Sequence, residues 1–517
     1  MMTLKDLIQG IYPGELPEDL ATREICAITS DSRQVVPHSL FVALSGTLRH
    51  GGEFIEEALQ KGASVIVTDR RLRPNTHPGV FFLSIADPRT FLKEILIRWY
   101  GRPSRNVKTI GITGTNGKTT ITYLLESIFA QAGRRLGVIG TVNYRIGPKI
   151  LPSKNTTPGL VENCLYLSEL QRSQVDYCVM EVSSHALSQG RVDLIDFEAG
   201  IFTNLTGDHL DYHRDMENYF EAKSRLFTRL SRQSTAVINS DCPFGRRLKK
   251  MTPARLITYG LEESADFSAE GIDLQLTHSS FTLTYDGHKQ GMRTKLIGRH
   301  NIYNILAAAA AAFSQGISLD CVAQGVERLD SVPGRLEAVA CGQHFPVFVD
   351  YAHTEDALRN VLEALKGVEG AAPLIRFAFA KRIKTTGPPQ IILVFGCGGN
   401  RDQSKRPQMG QVACQLADWV IVTSDNPRQE DPQAIIDQII QGCPPDRYEV
   451  LLDREEAIRK ALSLAGPNDI VLIAGKGHET TQIFKDRTIP FDDREVVRNY
   501  FAAHDTQLLT PNTSRSF

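Results

Sequence analysis

Seven residues, Gly114-Thr-Asn-Gly-Lys-Thr-Thr120, constrain the fold more than any other part of the chain. They stand between the apolar run Val107-Lys-Thr-Ile-Gly-Ile112 and a segment in which Ile121, Leu124, Leu125, Ile128 and Phe129 recur at helical spacing. A strand feeding a helix through such a turn is a phosphate-binding loop. Its glycines let backbone N–H groups turn inward, and the helix N-terminus adds partial positive charge. Lys118 neutralises the β- and γ-phosphates, and a threonine hydroxyl reaches Mg²⁺. Ile112 stands where the strict pattern has its first glycine, so an ordinary glycine-rich turn is the other reading.

A parallel α/β architecture follows, because apolar strand runs alternate with amphipathic helices from this point onward. The 517 residues suggest several domains, at roughly 150 residues each. Gly101-Arg-Pro-Ser104 marks one boundary, and Ser331-Val-Pro-Gly-Arg335, beyond a helix with six consecutive alanines, marks another. The expected fold is therefore α/β in three domains: residues 1–104, a central P-loop parallel-sheet ATPase domain at 105–332, and a Rossmann-like α/β domain at 333–517. The basic stretch Lys381-Arg-Ile-Lys384 with Gly387-Pro-Pro389 reads as a surface insertion, and the Thr-, Ser- and Asn-rich last residues as a frayed tail.

A balance of 58 basic against 59 acidic side chains offers no electrostatic footprint for nucleic acid. No signal-like N-terminus precedes the fold, and the apolar run Ile305 to Phe313 is too short to span a bilayer, so a cytoplasmic chain without a membrane segment is expected. Nine cysteines without a C-x-x-C pair read as reduced thiols.

Downstream, Tyr177-Cys-Val-Met-Glu-Val182 reads as a buried strand delivering Glu181 to Mg²⁺. The next strand, Ala199-Gly-Ile-Phe-Thr203, runs into Asn204-Leu-Thr-Gly-Asp-His-Leu-Asp-Tyr-His213. Spacing alone permits zinc between His209 and His213, whereas a nucleotide-phosphate site calls for an oxygen-preferring ion.

In order, Gly114 to Thr120, Glu181-Val-Ser-Ser-His-Ala-Leu187, Asp208-His-Leu-Asp-Tyr-His213 and Tyr219-x-x-Ala-Lys223 resemble the motif series of Mur ligases. Within that family, Asn155-Thr-Thr-Pro158, Gln189-Gly-Arg191 and Asp31-Ser-Arg33 resemble the MurE type, which adds the third residue to UDP-N-acetylmuramoyl-L-Ala-D-Glu. The resemblance implies that Gly114, Thr115, Asn116, Gly117, Lys118, Thr119 and Thr120 hold the phosphates of ATP, with Asn304, Arg335, Asp350 and His353 on its adenine and ribose side. Ser30 and Ser32 would contact the uridine nucleotide sugar, and Asn155, Thr156, Thr157, Ser183, Gln189 and Arg191 the rest of the precursor. Lys223 would be carbamylated (N6-carboxylysine) and join Thr119, Glu181 and His209 around Mg²⁺, with Lys118 completing the catalytic set. Departures from the family pattern fall at Thr47-Leu-Arg49, His300 and Glu355.

The third domain adds an argument from the residues. Its strands Val347–Val349, Ile391–Phe395, Trp419–Thr423 and Ile470–Ala474 each run into a polar, glycine- or proline-bearing loop. Such loops line the ligand crevice of a parallel sheet. By resemblance, Arg401, Asp425, Asn426, Pro427, Arg428, Gly475 and Glu479 would bind the incoming diamino acid. Arg428 favours meso-diaminopimelate over L-lysine, because a guanidinium pairs bidentately with the second carboxylate that lysine lacks.

A carboxylate is a poor electrophile, so ATP would first phosphorylate the D-Glu side chain, and the amine would then displace phosphate. The alternatives are a folylpolyglutamate synthetase or similar amide ligase on the same core, and a P-loop kinase or nucleotide switch.

Overall fold

The computed structural model describes residues 2–46, 49–70, 79–366, 390–467 and 469–508. Thr47, Leu48, the basic stretch from Lys381 and the last nine residues lie outside them.

Lys108–Thr113, Tyr177–Glu181, Phe197–Phe202 and Thr235–Asn239 are mostly buried apolar runs, as parallel strands covered on both faces must be. They lie in an eleven-stranded sheet ordered 149–152, 143–146, 136–139, 177–181, 108–113, 197–202, 235–239, 255–259, 267–274, 279–285, 288–294. The strands from 136–139 through 267–274 pair in parallel. Antiparallel hairpins extend both edges, an addition to the parallel sheet expected from sequence. Asp286 (φ 47°) and Gly287 (φ 76°) make the tight turn between the last two strands, where an Asp-Gly pair supplies both left-handed positions.

Helix Arg299–Ser314 is buried from Ala307 through Ala312, and these small side chains let it lie close against the sheet and helix Lys118–Gln131. A further helix, Leu319–Arg328, intervenes before the Ser331–Arg335 break.

The N-terminal body is a four-stranded parallel sheet, Ala27–Thr29, Ser39–Val42, Ala63–Thr68 and Phe81–Ser84. Helix Pro88–Tyr100 leaves it, capped by Asp87 and stopped by Gly101 at φ 70°. In the C-terminal body five strands run parallel in the spatial order Val347–Asp350, Ile470–Ala474, Ile391–Phe395, Trp419–Val422 and Tyr448–Val450. From Ile391–Phe395 the chain steps outward twice and then crosses back to Ile470–Ala474. The loops after those two strands therefore meet where a parallel sheet opens its crevice. Among the described residues no helix is long and apolar enough to cross a membrane.

Candidate active site

The glycines of the phosphate loop are there for close approach. At Gly117 (φ 89°) a Cβ would lie 2.3 Å from Asn304 Oδ1, and at Gly114 1.8 Å from Thr203 Oγ1. Lys118 opens the following helix, and its Nζ donates to Gly114 O (2.9 Å) and Thr115 O (2.8 Å). Lys223, buried on helix Met216–Thr228, donates its Nζ to the same Gly114 carbonyl at 2.8 Å. Burial, and then the neighbouring Lys118 charge, push Lys223 well below the usual lysine range.

Thr119 Oγ1 donates to Glu181 Oε2 at 3.1 Å, and the fully enclosed Glu181 also accepts from Thr141 N and Oγ1. His209 takes a left-handed backbone (φ 56°), with its Nε2 3.4 Å from Asp208 Oδ2. Burial lowers His209 to about 3, so the imidazole is neutral. Burial opposes ionisation of Asp208, but the Lys405 charge and the backbone N–H of His209 outweigh it and hold that carboxyl below its usual range. His213 turns away, with Nε2 2.9 Å from Ser184 Oγ. Among the described residues no three His, Cys, Asp or Glu side chains are grouped to hold a metal by themselves, so the zinc reading gains no geometric support.

The residues expected on the muramoyl precursor divide. Thr156 and Ser183 line the cleft. Thr157 is buried and braces the end of strand Tyr177–Glu181, donating to Glu181 O (2.8 Å) and accepting from Ser183 N (3.0 Å). Arg191 donates twice to Gln189 Oε1 and once to Thr157 O, so the Gln189–Arg191 pair supports that brace. Asn155 lies in a second groove with Asp31, Arg33, Tyr144, Lys154 and Tyr166. Ser30 is exposed, whereas Ser32 commits its hydroxyl proton to Glu57 at 2.7 Å.

From the C-terminal body, Arg335 lies over the Tyr351 ring and its Nη2 donates to Thr119 Oγ1 at 3.3 Å. His353 lines the cleft, but Asp350 does not. Both Asp350 oxygens accept backbone N–H groups, from Leu336 (2.6 Å) and Ala352 (2.7 Å), and burial raises its pKa. Asp425 Oδ1 accepts from Asn426 N at 2.6 Å, and Gly475 (φ 112°) passes Asp425 where a Cβ would lie 2.7 Å from Oδ2. Asn426 donates to Glu479 Oε2 at 2.7 Å. The Pro427 carbonyl packs against Gly399. Arg401 is exposed at the rim, whereas the partly buried Arg428 (φ 53°) donates to Gly399 O at 2.8 Å.

Sequence reasoning missed three members of this assembly. Lys476, fully buried, donates to Asn426 Oδ1, Glu479 Oε2 and Thr481 O. Asp356 accepts from the Asn116 side chain of the phosphate loop at 2.7 Å. Lys405 Nζ lies 3.8 Å from Asp208 Oδ1. Lys405 left a signal: it opens helix Lys405–Leu416, where the helix dipole disfavours a cation.

One cleft thus has Lys118, Glu181, His209 and Lys223 on one wall and Arg335, His353, Arg401, Asp425, Arg428 and Glu479 on the other. Family models match in chain order: the Mur ligase family catalytic domain over residues 24–100, the Mur ligase middle domain over 112–312, and the Mur ligase glutamate ligase domain over 334–477. The chain is 40% identical over 500 residues to UDP-N-acetylmuramoyl-L-alanyl-D-glutamate--2,6-diaminopimelate ligase of Syntrophomonas wolfei, covering 96% of this chain and 98% of that one. The chain belongs to the Mur ligase family. The protein of the same name from Geobacillus thermodenitrificans is 42% identical over 505 residues, covering 96% of this Mur ligase and 99% of the relative. A solved structure of a 2,6-diaminopimelate ligase matches with TM-score 0.63 at 32% identity, covering 98% and 100% of the two chains.

Proposed function

We propose that this Mur ligase uses ATP to join meso-2,6-diaminopimelate to UDP-N-acetylmuramoyl-L-Ala-D-Glu, in cytoplasmic peptidoglycan precursor synthesis. The observation that carries the reading is the single cleft in which Lys118 of the phosphate loop faces Asp425, Arg428 and Glu479. The names of the relatives, and their coverage of nearly the whole chain, support it. The three largest sheets among the described residues, of four, eleven and six strands, support domain limits at 1–104, 105–332 and 333–517.

In this mechanism a D-Glu carboxylate oxygen attacks the γ-phosphorus and ADP leaves. The diaminopimelate amine then attacks the acyl carbon, phosphate departs, and the amine proton passes to solvent. Lys118 balances charge on the transferring phosphoryl group. Asp425 and Glu479 suit the ammonium end of the amino acid, and Arg428 its second carboxylate. The oxygen donors of Thr119 and the buried Glu181 fit Mg²⁺, which would neutralise the phosphates, with His209 and a carbamylated Lys223 completing the set. The depressed pKa of Lys223 supports carbamylation, because only the neutral amine adds to carbon dioxide, forming the N–C bond and releasing a proton.

ATP turnover with the UDP-linked dipeptide and a panel of amino acids tests the reading. It requires ADP, phosphate and an amide in equal amounts. A phosphorylated product would make the protein a kinase, and turnover without an acceptor would make it a switch.

A further inference from the structure

Arg428 holds a left-handed backbone at φ 53°, a region that residues with a side chain resist. Something must hold it there. Two residues on, Glu430 turns inward and meets Arg406, whose side chain is fully buried on helix Lys405–Leu416. The pair is bidentate: Arg406 Nη1 donates to Glu430 Oε2 at 2.8 Å and Nη2 to Oε1 at 3.0 Å.

Each partner then fastens one strand-end loop to the other. Arg406 Nη2 also donates to Gly398 O at 3.2 Å, and Glu430 also accepts from Asn400 N. Between them, Gly399 N donates to Asn426 O (2.9 Å), Gln429 N to Asn400 Oδ1 (2.9 Å) and Arg428 Nη1 to Gly399 O (2.8 Å). The fit leaves no slack, because a Cβ at Gly399 would fall 1.9 Å from Pro427 O and one at Gly398 2.8 Å from Arg428 Nη1. Arg406 holds Glu430 below the usual carboxylate range, so the clasp is charged at neutral pH.

We propose that the Arg406–Glu430 pair positions Arg428: it locks the 396–402 and 425–430 loops together and fixes the guanidinium against the distal carboxylate of the incoming amino acid. The inference rests on the reading that diaminopimelate is that amino acid. The two are positioning residues, reaching substrate only through Arg428. An ion pair with its guanidinium fully buried is a poor source of net stability but a good source of fixed geometry, and this one stands where geometry decides between a substrate with a second carboxylate and one without.

The test is a mutant cycle on the full-length enzyme with Glu430→Gln, Glu430→Asp, Arg428→Ala and the double variant Glu430→Gln/Arg428→Ala. Glu430→Gln should raise KM for diaminopimelate about ten- to hundred-fold, the scale for displacing a positioned group by up to ~1 Å. KM for ATP and for the UDP-linked dipeptide, and any residual turnover of L-lysine, should stay within about two-fold, while Glu430→Asp recovers part of the loss. In the Arg428→Ala background Glu430→Gln should add nothing, because the residue it positions is gone. Additive losses in the double variant, or a KM change shared by all three substrates, would overturn the positioning role. Wild-type turnover of diaminopimelate checks the underlying reading separately: its absence would overturn that reading and the carboxylate ligand assigned to Arg428 along with it.

Discussion

The two walls of the cleft are built by different means. On the central wall the backbone dominates: Gly114 and Gly117 adopt conformations that side chains resist, and Lys118 points back over its own loop. On the C-terminal wall side chains dominate, and each rests on buried charge. Arg406 holds Glu430, Lys476 holds Glu479, and Arg454 pairs with Asp493 with neither side chain exposed. Backbone recognition suits phosphates, which are alike in every nucleotide, because N–H groups and a helix terminus need no particular neighbours. Telling one amino acid from another needs fixed side chains, and fixing charged side chains needs partners.

The largest effect should break that comparison, at Lys223, the one central-wall side chain proposed to carry a carbamate. Lys223→Ala should lower ligation by about 10³-fold or more, the scale of a lost charge-stabilising group. Added acetate or formate should restore part of it by standing in for the carbamate. ADP release at saturating substrates measures both, and full activity of the alanine variant would remove the carbamate from the mechanism.

Next in size is the foundation of the opposite wall. Arg454 donates to both Asp493 oxygens at 2.8 Å and to Ala474 O at 3.0 Å, fixing the strand end that leads into Gly475. Asp493→Asn leaves the guanidinium buried without its counter-charge, so urea unfolding should show a loss of about 3–5 kcal/mol. A paired Arg454→Met/Asp493→Leu replacement should cost much less. If the single and double variants lose the same amount, the charge is not what holds this wall.

This division explains what could be read from the sequence. Gly114 to Thr120 and the strands around it were legible because backbone recognition writes itself into a short, contiguous pattern. The four polar loops of the third domain were legible as a cleft for the same reason, each sitting at the end of an apolar run. Arg406 and Glu430 were not, because their pairing spans two loops and nothing local in KRP or RQED announces it. Asp350 and Thr157 stand out by where their motifs fall, but the backbone groups they brace could not be read, because that role depends on burial rather than spacing. The edge hairpins carried a readable sign in Asp286-Gly287 that the alternation of strands and helices overshadowed.

Arg428→Ala sharpens the contrast between the walls. KM for diaminopimelate should rise about thirty- to hundred-fold, within the range for losing a charged hydrogen-bond partner, while KM for ATP and the UDP-linked dipeptide barely changes. Steady-state kinetics with each substrate varied in turn decides it, and a comparable rise for ATP would mean that the walls do not act independently.

The smallest effect is expected at the seam, where the two walls meet around Arg335. Burial, and then the charge of Arg335, lower His300 to about 4; burial, and then Lys405, lower His353 to about 4. Both are bases whose folded-state pKa lies below the usual 6.5, so the unfolded chain takes up their protons first. Stability contributed by the neutral forms is therefore present near pH 7 and is lost as pH falls from about 6.5 towards 4. Each histidine contributes up to roughly 2 kcal/mol of this loss at pH 5. His300→Gln removes one titrating group from the seam, so its Tm should fall less than that of the wild type between pH 7 and pH 5. Thermal unfolding of both proteins across that range is the measurement, and parallel curves would place the acid sensitivity somewhere other than His300.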